Sequence, residues 1–271
     1  MKIGVFDSGY GGLTILRELR KSLPEYDYMY LGDNARAPYG TRSFDVVTDF
    51  TLQAVKYLFN NDCPLVILAC NTASAKALRT IQQRWLPFSN DPSKRVLGVI
   101  RPTAEHIGQV SKNGHVGVFA TPGTIASLSY DIEIRKLNPN FTITGHACPM
   151  WVPLVEYGEA NSDGADFFIK KDIDALLATD PDIDTVVLAC THYPILFNKI
   201  RKHLPGHINL LTQGDIVAPS LADYLSRHPE MNRRLSKGGS VSFFTTERPD
   251  KFNELAATFM NADVDAQHAV L

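Results

Sequence analysis

Two of the four cysteines lie in segments that are near copies of each other. Residues 65–72 read LVILACNT and residues 185–192 read TVVLACTH, so Cys70 and Cys190 each end an apolar run and open a polar triplet. Each run predicts a buried strand, and each triplet falls where such a strand hands over to a helix. Two matched thiols indicate chemistry that needs an acid on one face of a substrate and a base on the other.

The local setting favours the ionised form of both thiols. Cys70 and Cys190 each precede a predicted helix start, from Ala73 onward and from Pro194 onward. Proline suits the first helical position, and the helix dipole favours a thiolate just before it. Because the thiolate is the form of cysteine that can remove a proton, each segment offers a candidate base.

Other uses of cysteine fit this pattern less well. No C-x-x-C is present, so a zinc site would need distant partners for Cys190 and His192, and a redox pair lacks its usual motif. Acyl transfer by Cys190 with His192 stays open, although it leaves Cys70 unexplained. Cys63 and Cys148, each followed by proline, lack the polar triplet and are interpreted as small buried hydrophobic residues.

Neutral hydrogen-bond donors occur close to the same strand ends. Any one of them would typically cap a helix, but together they could hold a carboxylate without a fixed arginine. They are Ser8, Asn71, Thr72, Thr121, Thr124 and Thr191. His192 could act as a general acid or base, with Glu156 to orient it or to polarise Cys190.

A glycine-rich stretch, GYGGLT at residues 9–14, follows the first predicted strand. Thr14 replaces the third glycine of G-x-G-x-x-G and no G-K-[ST] follows, so neither nucleotide-binding motif is satisfied. The stretch is interpreted as a tight strand-to-helix turn whose N–H groups could hold a carboxylate. Asp7, directly before it, would repel that anion unless a ligand ammonium group lies between them, and an amino acid carries both charges.

The elements that must position these residues follow a regular order. Apolar runs alternate with stretches of helical period, a pattern typical of parallel sheets covered by helices. The runs lie at about 2–6, 27–31, 64–69, 96–100, 115–119, 141–145, 184–189, 207–211 and 241–245, and the helical stretches include Leu13–Leu23, Val46–Asn60 and Ala73–Trp85. Ligands of such sheets bind beyond the carboxyl ends of the strands, where both thiols fall.

The duplication extends beyond the cysteines. IGVFDSG at residues 3–9 is echoed by VGVFATPG at residues 116–123. The repeated order predicts an α/β fold of two pseudo-symmetric domains with mostly parallel sheets and an active site in the cleft between them. Loop-forming residues at 88–93 and 204–206 predict a first domain of 1–95 plus 208–271 and a second domain of 96–207.

Composition argues against several classes of function. The chain of 271 residues carries a net charge of −2 and no lysine- or arginine-rich block, so the electrostatic footprint of a nucleic-acid-binding protein is missing. The apolar runs are strand-sized, and Met1-Lys2 leads into a strand without the apolar region of a signal peptide. We therefore expect a soluble cytoplasmic protein, without a membrane partner, whose cysteines stay reduced.

At the residues that could do chemistry, the chain resembles the glutamate racemases, cofactor-independent enzymes that supply D-glutamate for peptidoglycan. The matching elements run in order from residue 6 to residue 194, and their combination is highly specific. They are FDSG at 6–9 with GGL at 11–13, PYG at 38–40, ACNTASA at 69–75, AT at 120–121 with GT at 123–124, ACP at 147–149 with PLVE at 153–156, and ACTHYP at 189–194. Tyr10 stands where the family usually has a smaller apolar residue, and the tail after Pro205 matches only loosely.

The resemblance implies roles for the thiols and their neighbours. Cys70 would abstract the α-proton of D-glutamate and Cys190 that of L-glutamate, while the other thiol protonates the opposite face. Asp7 and Ser8 would hold the α-amino region and assist Cys70. Further substrate-binding residues would be Tyr39, Gly40, Asn71, Thr72, Thr121, Thr191 and His192.

His192 and Glu156 would assist Cys190 on the other side of the substrate. The resemblance implies neither pyridoxal phosphate nor a metal, and it implies a small-molecule substrate, L- or D-glutamate, and a homodimer. Two alternatives stay open: a two-thiol racemase specific for aspartate, and a catalytically silent module that closes two domains over an amino acid.

Overall fold

The strands of the protein all run parallel to their neighbours, in two separate sheets. The computed structural model describes residues 1–271. Its strands are β1 (Ile3–Asp7), β2 (Tyr28–Gly32), β3 (Leu65–Leu68), β4 (Arg95–Gly98), β5 (His115–Ala120), β6 (Thr142–Ala147), β7 (Thr185–Ala189), β8 (Asn209–Leu211), β9 (Val241–Thr245) and β10 (Ala266–His268). Only β10 lacks a counterpart among the predicted runs, because it is short and mostly polar.

Helices cover the sheets. The α-helices are α1 (Leu13–Ser22), α2 (Phe44–Asn60), α3 (Asn71–Lys76), α4 (Leu78–Thr80), α5 (Ile100–Val110), α6 (Pro122–Ala126), α7 (Ser129–Leu137), α8 (Trp151–Glu156), α9 (Asp163–Thr179), α10 (Phe197–His203), α11 (Gly214–Arg227), α12 (Pro229–Asn232) and α13 (Pro249–Met260). Short 3-10 turns lie at Asn34–Arg36, Leu86–Phe88 and Tyr193–Leu196, and a π turn lies at Ile81–Trp85. None of these helices combines the length and the apolar character needed to cross a membrane.

The two sheets repeat one strand order, which confirms the predicted pair of α/β halves. The second sheet has the order β6-β5-β7-β8, and the first contains the equivalent β2-β1-β3-β4 extended by β9 and β10. In each half the first strand lies at the centre, between the second and third. β1 and β3 are fully buried because helices cover both faces of a parallel sheet.

Strand pairing places the end of each repeat later in the chain than the predicted domain boundaries at 95/96 and 207/208. β4 pairs with β3 and β8 pairs with β7. A domain boundary at 95/96 therefore cuts through β4, and a return at 208 assigns β8 to the first domain although it completes the second sheet. The predicted boundaries differ because the loops at 88–93 and 204–206 lead into edge strands of the sheet that the chain is about to leave. A division that keeps both sheets whole has breaks after Gly98 and after Leu211.

An aromatic cluster anchors the second sheet to the helix that follows β6. Trp151, the first residue of α8, is fully buried, with its ring centroid 4.9 Å from that of Phe119 on β5 and 4.8 Å from that of Tyr193. Such pairs add to the large burial of an aromatic side chain. The cluster fixes the start of α8, whose last residue is Glu156.

We expect Trp151→Ala to lower the free energy of unfolding by about 3–5 kcal/mol, the usual cost of truncating a buried tryptophan. The matched control is Trp85→Ala, which removes the only other tryptophan, a partly exposed one, and should cost less. Urea denaturation followed by far-UV circular dichroism measures both, and equal losses would contradict the anchoring role of Trp151.

Candidate functional site

The carboxyl ends of the two sheets face each other, and four of the candidate residues lie there. Phe6 pairs with Leu68 and Ala120 pairs with Ala189, so the residues that follow these pairs leave each sheet side by side. These are Asp7, Ala69-Cys70, Thr121 and Cys190. Hydrogen bonds span the cleft: the Thr72 and Thr121 hydroxyls are 2.9 Å apart, and the Thr191 hydroxyl donates to the Asp7 carboxylate at 3.3 Å.

Cys70 caps α3 with its own side chain. Its Sγ accepts the Ala73 N–H at 3.4 Å and lies 3.4 Å from the Ser8 hydroxyl. Burial of the thiol and the nearby Asp7 carboxylate nevertheless raise its pKa to about 12. The predicted preference for thiolate is therefore wrong for Cys70 in the ligand-free protein, because these two effects outweigh a six-residue helix and two neutral donors.

Cys190 has a different partner. The predicted helix start at Pro194 is a 3-10 turn, and α10 begins only at Phe197, so Cys190 does not cap an α-helix. Its Sγ instead lies 4.0 Å from Nδ1 of His192, the outer limit for a hydrogen bond to sulfur. Both side chains are buried.

Glu156 holds the far side of the His192 ring, as the sequence-based hypothesis requires. Its Oε1 lies 2.9 Å from His192 Nε2. Burial opposes the protonated ring, but the hydrogen bonds and negative charges of Cys190 and Glu156 outweigh it and raise the pKa of His192 to about 10. An imidazolium thus faces the Cys190 sulfur near neutral pH.

Asp7 is fully buried at the end of β1 and has no lysine or arginine partner. Its carboxylate accepts the Gly9 N–H at 2.9 Å as well as the Thr191 hydroxyl. Burial raises its pKa despite the positive charge of His192 and these donors. The glycine-rich turn therefore does bind a carboxylate, but that carboxylate belongs to Asp7 itself.

The glycines of this turn allow the close approach of side chains from both sheets. A Cβ on Gly12 would lie 2.4 Å from Cβ of Asp7, and one on Gly11 would lie 2.5 Å from Nδ1 of His192. Both distances are impossible without displacement of catalytic candidates. The interpretation of GYGGLT as a tight turn agrees with this geometry.

Three threonine hydroxyls form a small cluster between the sheets. Thr121 lies 3.1 Å from Thr124, and Thr72 lies 2.9 Å from the former and 3.3 Å from the latter. Gly40 approaches the same place: its carbonyl accepts the Gly123 N–H at 2.8 Å, and a Cβ on it would lie 2.9 Å from Cβ of Thr121. The cluster is a source of neutral donors for an anion.

Two predicted substrate-binding side chains are occupied by protein partners. The Asn71 amide donates to Gln213 and accepts the Tyr130 hydroxyl at 2.7 Å. The Tyr39 hydroxyl donates to the Asp33 carboxylate. Both side chains are buried and bonded to protein partners, so they support the walls of the cleft.

Sequence reasoning did not find Gln213 and Tyr130. Gln213 also donates to the Tyr130 hydroxyl at 2.7 Å and to the Thr103 hydroxyl at 3.1 Å, which joins α3 of one half to the connection between the halves. A glutamine before a predicted helix carries no local signal of this kind, because its three partners lie far away in the chain.

Neither thiol belongs to a group of residues placed to hold a metal. Such groups occur elsewhere, at His146, Cys148 and Asp172 and at His115, Asp180 and Asp182. In both, the histidine already bonds a carboxylate, at 3.1 Å from Asp172 and at 3.0 Å from Asp180. All four cysteines are buried and unpaired.

A cavity of about 530 Å³ lies behind α3 and does not include Cys70 or Cys190. Its wall carries Lys76, Arg79, Arg101 and Glu133 among others. The chemistry-bearing residues instead fill a closed cleft, in which each thiol is only 6% exposed. A large cavity is therefore not a guide to the reactive groups here.

The raised pKa of His192 predicts how stability depends on pH. Between pH about 6.5 and about 10 the unfolded histidine loses its proton while native His192 keeps it, so the contribution of His192 to stability falls as pH rises, by at most about 1.4 kcal/mol per pH unit. His192→Asn should remove this contribution and flatten the slope. Urea denaturation of both proteins at pH 7, 8 and 9 measures it, and equal slopes would rule out the raised pKa.

Known proteins resemble this chain both in sequence and in fold. Residues 13–218 match the family model described as Asp/Glu/Hydantoin racemase. A glutamate racemase of Roseobacter denitrificans is 38% identical over 275 residues, which cover 98% of each chain. Among solved structures, a glutamate racemase isoform of Bacillus anthracis has a TM-score of 0.88 at 32% identity, over 100% of this chain and 97% of the other. A glutamate racemase of Francisella tularensis, in complex with D-glutamate, has a TM-score of 0.86 at 31% identity, again over 100% and 97%.

Proposed function

Because the chain belongs to the Asp/Glu/Hydantoin racemase family, we propose that it interconverts L- and D-glutamate by a two-thiol mechanism without a cofactor. The observation that carries this proposal is the position of the thiols. Cys70 and Cys190 follow equivalent strands of two sheets that face each other, and hydrogen bonds join the two sides around them. A substrate between them would expose opposite faces of its α-carbon to one sulfur each.

The two thiols lie in different electrostatic surroundings in the ligand-free protein. The His192 imidazolium lies beside the Cys190 sulfur, whereas burial and Asp7 raise the pKa of the Cys70 thiol. This combination suits L-glutamate: the Cys190 thiolate takes the α-proton, and the Cys70 thiol donates its proton to the opposite face. The product is D-glutamate, with Cys70 left as thiolate and Cys190 as thiol.

The reverse direction requires the opposite protonation states. The ammonium group of a bound amino acid would supply the missing positive charge near Asp7, which would lower the pKa of Cys70. Ser8 and the Ala73 N–H, both 3.4 Å from the sulfur, then stabilise its thiolate. A racemase needs this reversibility because its substrate and product are mirror images.

The cleft also contains donors for the carboxylates. The hydroxyls of Thr72, Thr121 and Thr124 are neutral and come from both sheets, so they bind an anion without the pull of a fixed arginine. The α-hydrogen of an amino acid is far less acidic than a thiol. Such preorganised donors, in a site closed to water, must therefore stabilise the charge that develops in the transition state.

We further propose that the D-glutamate serves peptidoglycan synthesis, as the resemblance implies. The cytoplasmic location, the homodimer and the absence of a cofactor remain predictions from the sequence. Family members act on related amino acids, so the proposal for glutamate over aspartate rests on the similarity to glutamate racemases over nearly the whole chain.

We expect Cys70→Ser and Cys190→Ser each to lower kcat for glutamate racemisation by at least about 10²-fold, because each removes one acid–base group. Cys63→Ala is the matched control: it also changes a buried cysteine, but one whose sulfur lies 3.7 Å from Met29 Sδ and 3.6 Å from the Asn61 carbonyl, away from the candidate site. It should leave turnover almost unchanged. Full activity of either serine variant would exclude the two-thiol mechanism.

The decisive experiment for the function is turnover by pure, metal-stripped protein in deuterium oxide. Circular dichroism should show L- and D-glutamate both converging to zero rotation, with deuterium entering at the α-carbon. L-Aspartate as sole substrate should turn over much more slowly. Faster turnover of aspartate would replace the proposed substrate, and tight binding of glutamate without α-hydrogen exchange would indicate a silent binding module.

A further inference from the structure

The C-terminal helix reaches the candidate site through an aromatic stack. Phe252 and Phe259 of α13 are both fully buried. The Tyr10 ring stacks on each, with centroids 5.3 Å from Phe252 and 6.1 Å from Phe259 and interplanar angles of 20° and 16°. Tyr10 belongs to the glycine-rich turn after β1, so the stack joins the last helix to the first strand-to-helix turn.

Phe259 also contacts His192 directly. The two ring centroids are 5.3 Å apart and the planes are nearly perpendicular, at 82°. The partners of the His192 nitrogens, Glu156 and Cys190, lie at opposite ends of the ring. The contact to Cys190, at 4.0 Å, is at the outer limit for a hydrogen bond, so it restrains rotation of the ring about the Cβ–Cγ bond only weakly. The perpendicular Phe259 ring packed against the imidazole opposes that rotation.

The glycine-rich turn, held by the same stack, packs against His192. Gly11 follows Tyr10, and a Cβ on Gly11 would lie 2.5 Å from His192 Nδ1 and 2.8 Å from Cε1. The turn thus contacts the imidazole through Gly11, while the Tyr10 ring stacks on Phe259. His192 is enclosed by groups from both ends of the chain.

We propose that Tyr10 and Phe259 are positioning residues that hold the His192 imidazole between Cys190 and Glu156, which makes α13 part of the site. The inference rests on the proposed function, since it concerns the thiol that would take the α-proton of L-glutamate. The proposed effect of both rings passes through the orientation of His192.

The alternative is that both rings only stabilise the fold, and Phe252 provides the matched control. Phe252 lies on the same helix, is equally buried and stacks on the same tyrosine, but its other aromatic partner is Tyr30 rather than His192. Phe252→Leu and Phe259→Leu should therefore lose similar stability. Only Phe259→Leu should change His192.

The first measurement follows His192 itself and needs no turnover. The ¹⁵N signals of its imidazole, assigned by their loss in His192→Asn, are recorded from pH 6 to 10 in wild type and variants. The titratable groups that face the ring are Glu156, Cys190 and Asp7. In Phe259→Leu and Tyr10→Leu the ring should lose its proton at a lower pH, whereas Phe252→Leu and Tyr10→Phe, which keeps the stack, should match wild type.

The second measurement is the primary isotope effect on kcat/KM with α-deuterated L- and D-glutamate. The equilibrium constant for interconversion of two enantiomers is 1, so kcat/KM must change equally in both directions. We expect Phe259→Leu to lower it by roughly tenfold. Proton transfer at Cys190 should become more rate-limiting. The isotope effect should therefore rise with deuterated L-glutamate and fall with deuterated D-glutamate.

Unchanged His192 signals in Phe259→Leu, or equal changes in Phe259→Leu and Phe252→Leu, would overturn the proposal. If Phe259→Leu does not fold, Tyr10→Leu against Tyr10→Phe decides the same question. A wild-type protein that fails to racemise glutamate would refute the proposed function, while the NMR comparison would still decide whether the stack positions His192.

Discussion

The buried carboxylate of Asp7 is the constraint around which the site is arranged. A fully buried carboxylate without a lysine or arginine partner is costly, so its neighbours must supply hydrogen bonds and positive charge. The Gly9 N–H comes from its own turn, whereas the Thr191 hydroxyl and the charge of His192 come from the other half of the molecule. Satisfying this one group therefore brings the two sheets together.

The fold is nearly symmetric, but the chemistry that it supports is not. Both halves use the order second-first-third-fourth strand, and both place a cysteine after the third. Cys190 lies beside an imidazole that a carboxylate holds in its charged form, while Cys70 lies beside a hydroxyl, an N–H group and a negative charge. A symmetric scaffold therefore gives its two thiols unequal electrostatic partners before a substrate binds.

The sequence predicts the fold and the thiols because their signals are local. Apolar runs mark the strands, and the repeated motif around Cys70 and Cys190 marks the two strand ends that meet. The raised pKa of Cys70 could not be predicted in the same way, since burial and the charge of Asp7 arise only in the folded protein.

Contacts between residues far apart in the chain could not be predicted from the sequence either. Gln213 binds Asn71, and Phe259 contacts His192, although each pair is far apart in the chain. Nothing in the composition of the C-terminal helix distinguishes Phe259 from Phe252. The domain limits and β10 were missed for a related reason, because pairing with a neighbouring strand, rather than local punctuation, determines what belongs to a sheet.

The closed cleft limits access to the two thiols. Each thiol is 6% exposed, so an amino acid cannot reach them until the sheets separate. Separation would break the Thr72–Thr121, Thr191–Asp7 and Gly123–Gly40 hydrogen bonds. The bonds that assemble the site would therefore also hold a bound amino acid inside it. Stronger bonds across the cleft would slow both entry and release, so separation of the sheets would limit how fast the site exchanges its ligand.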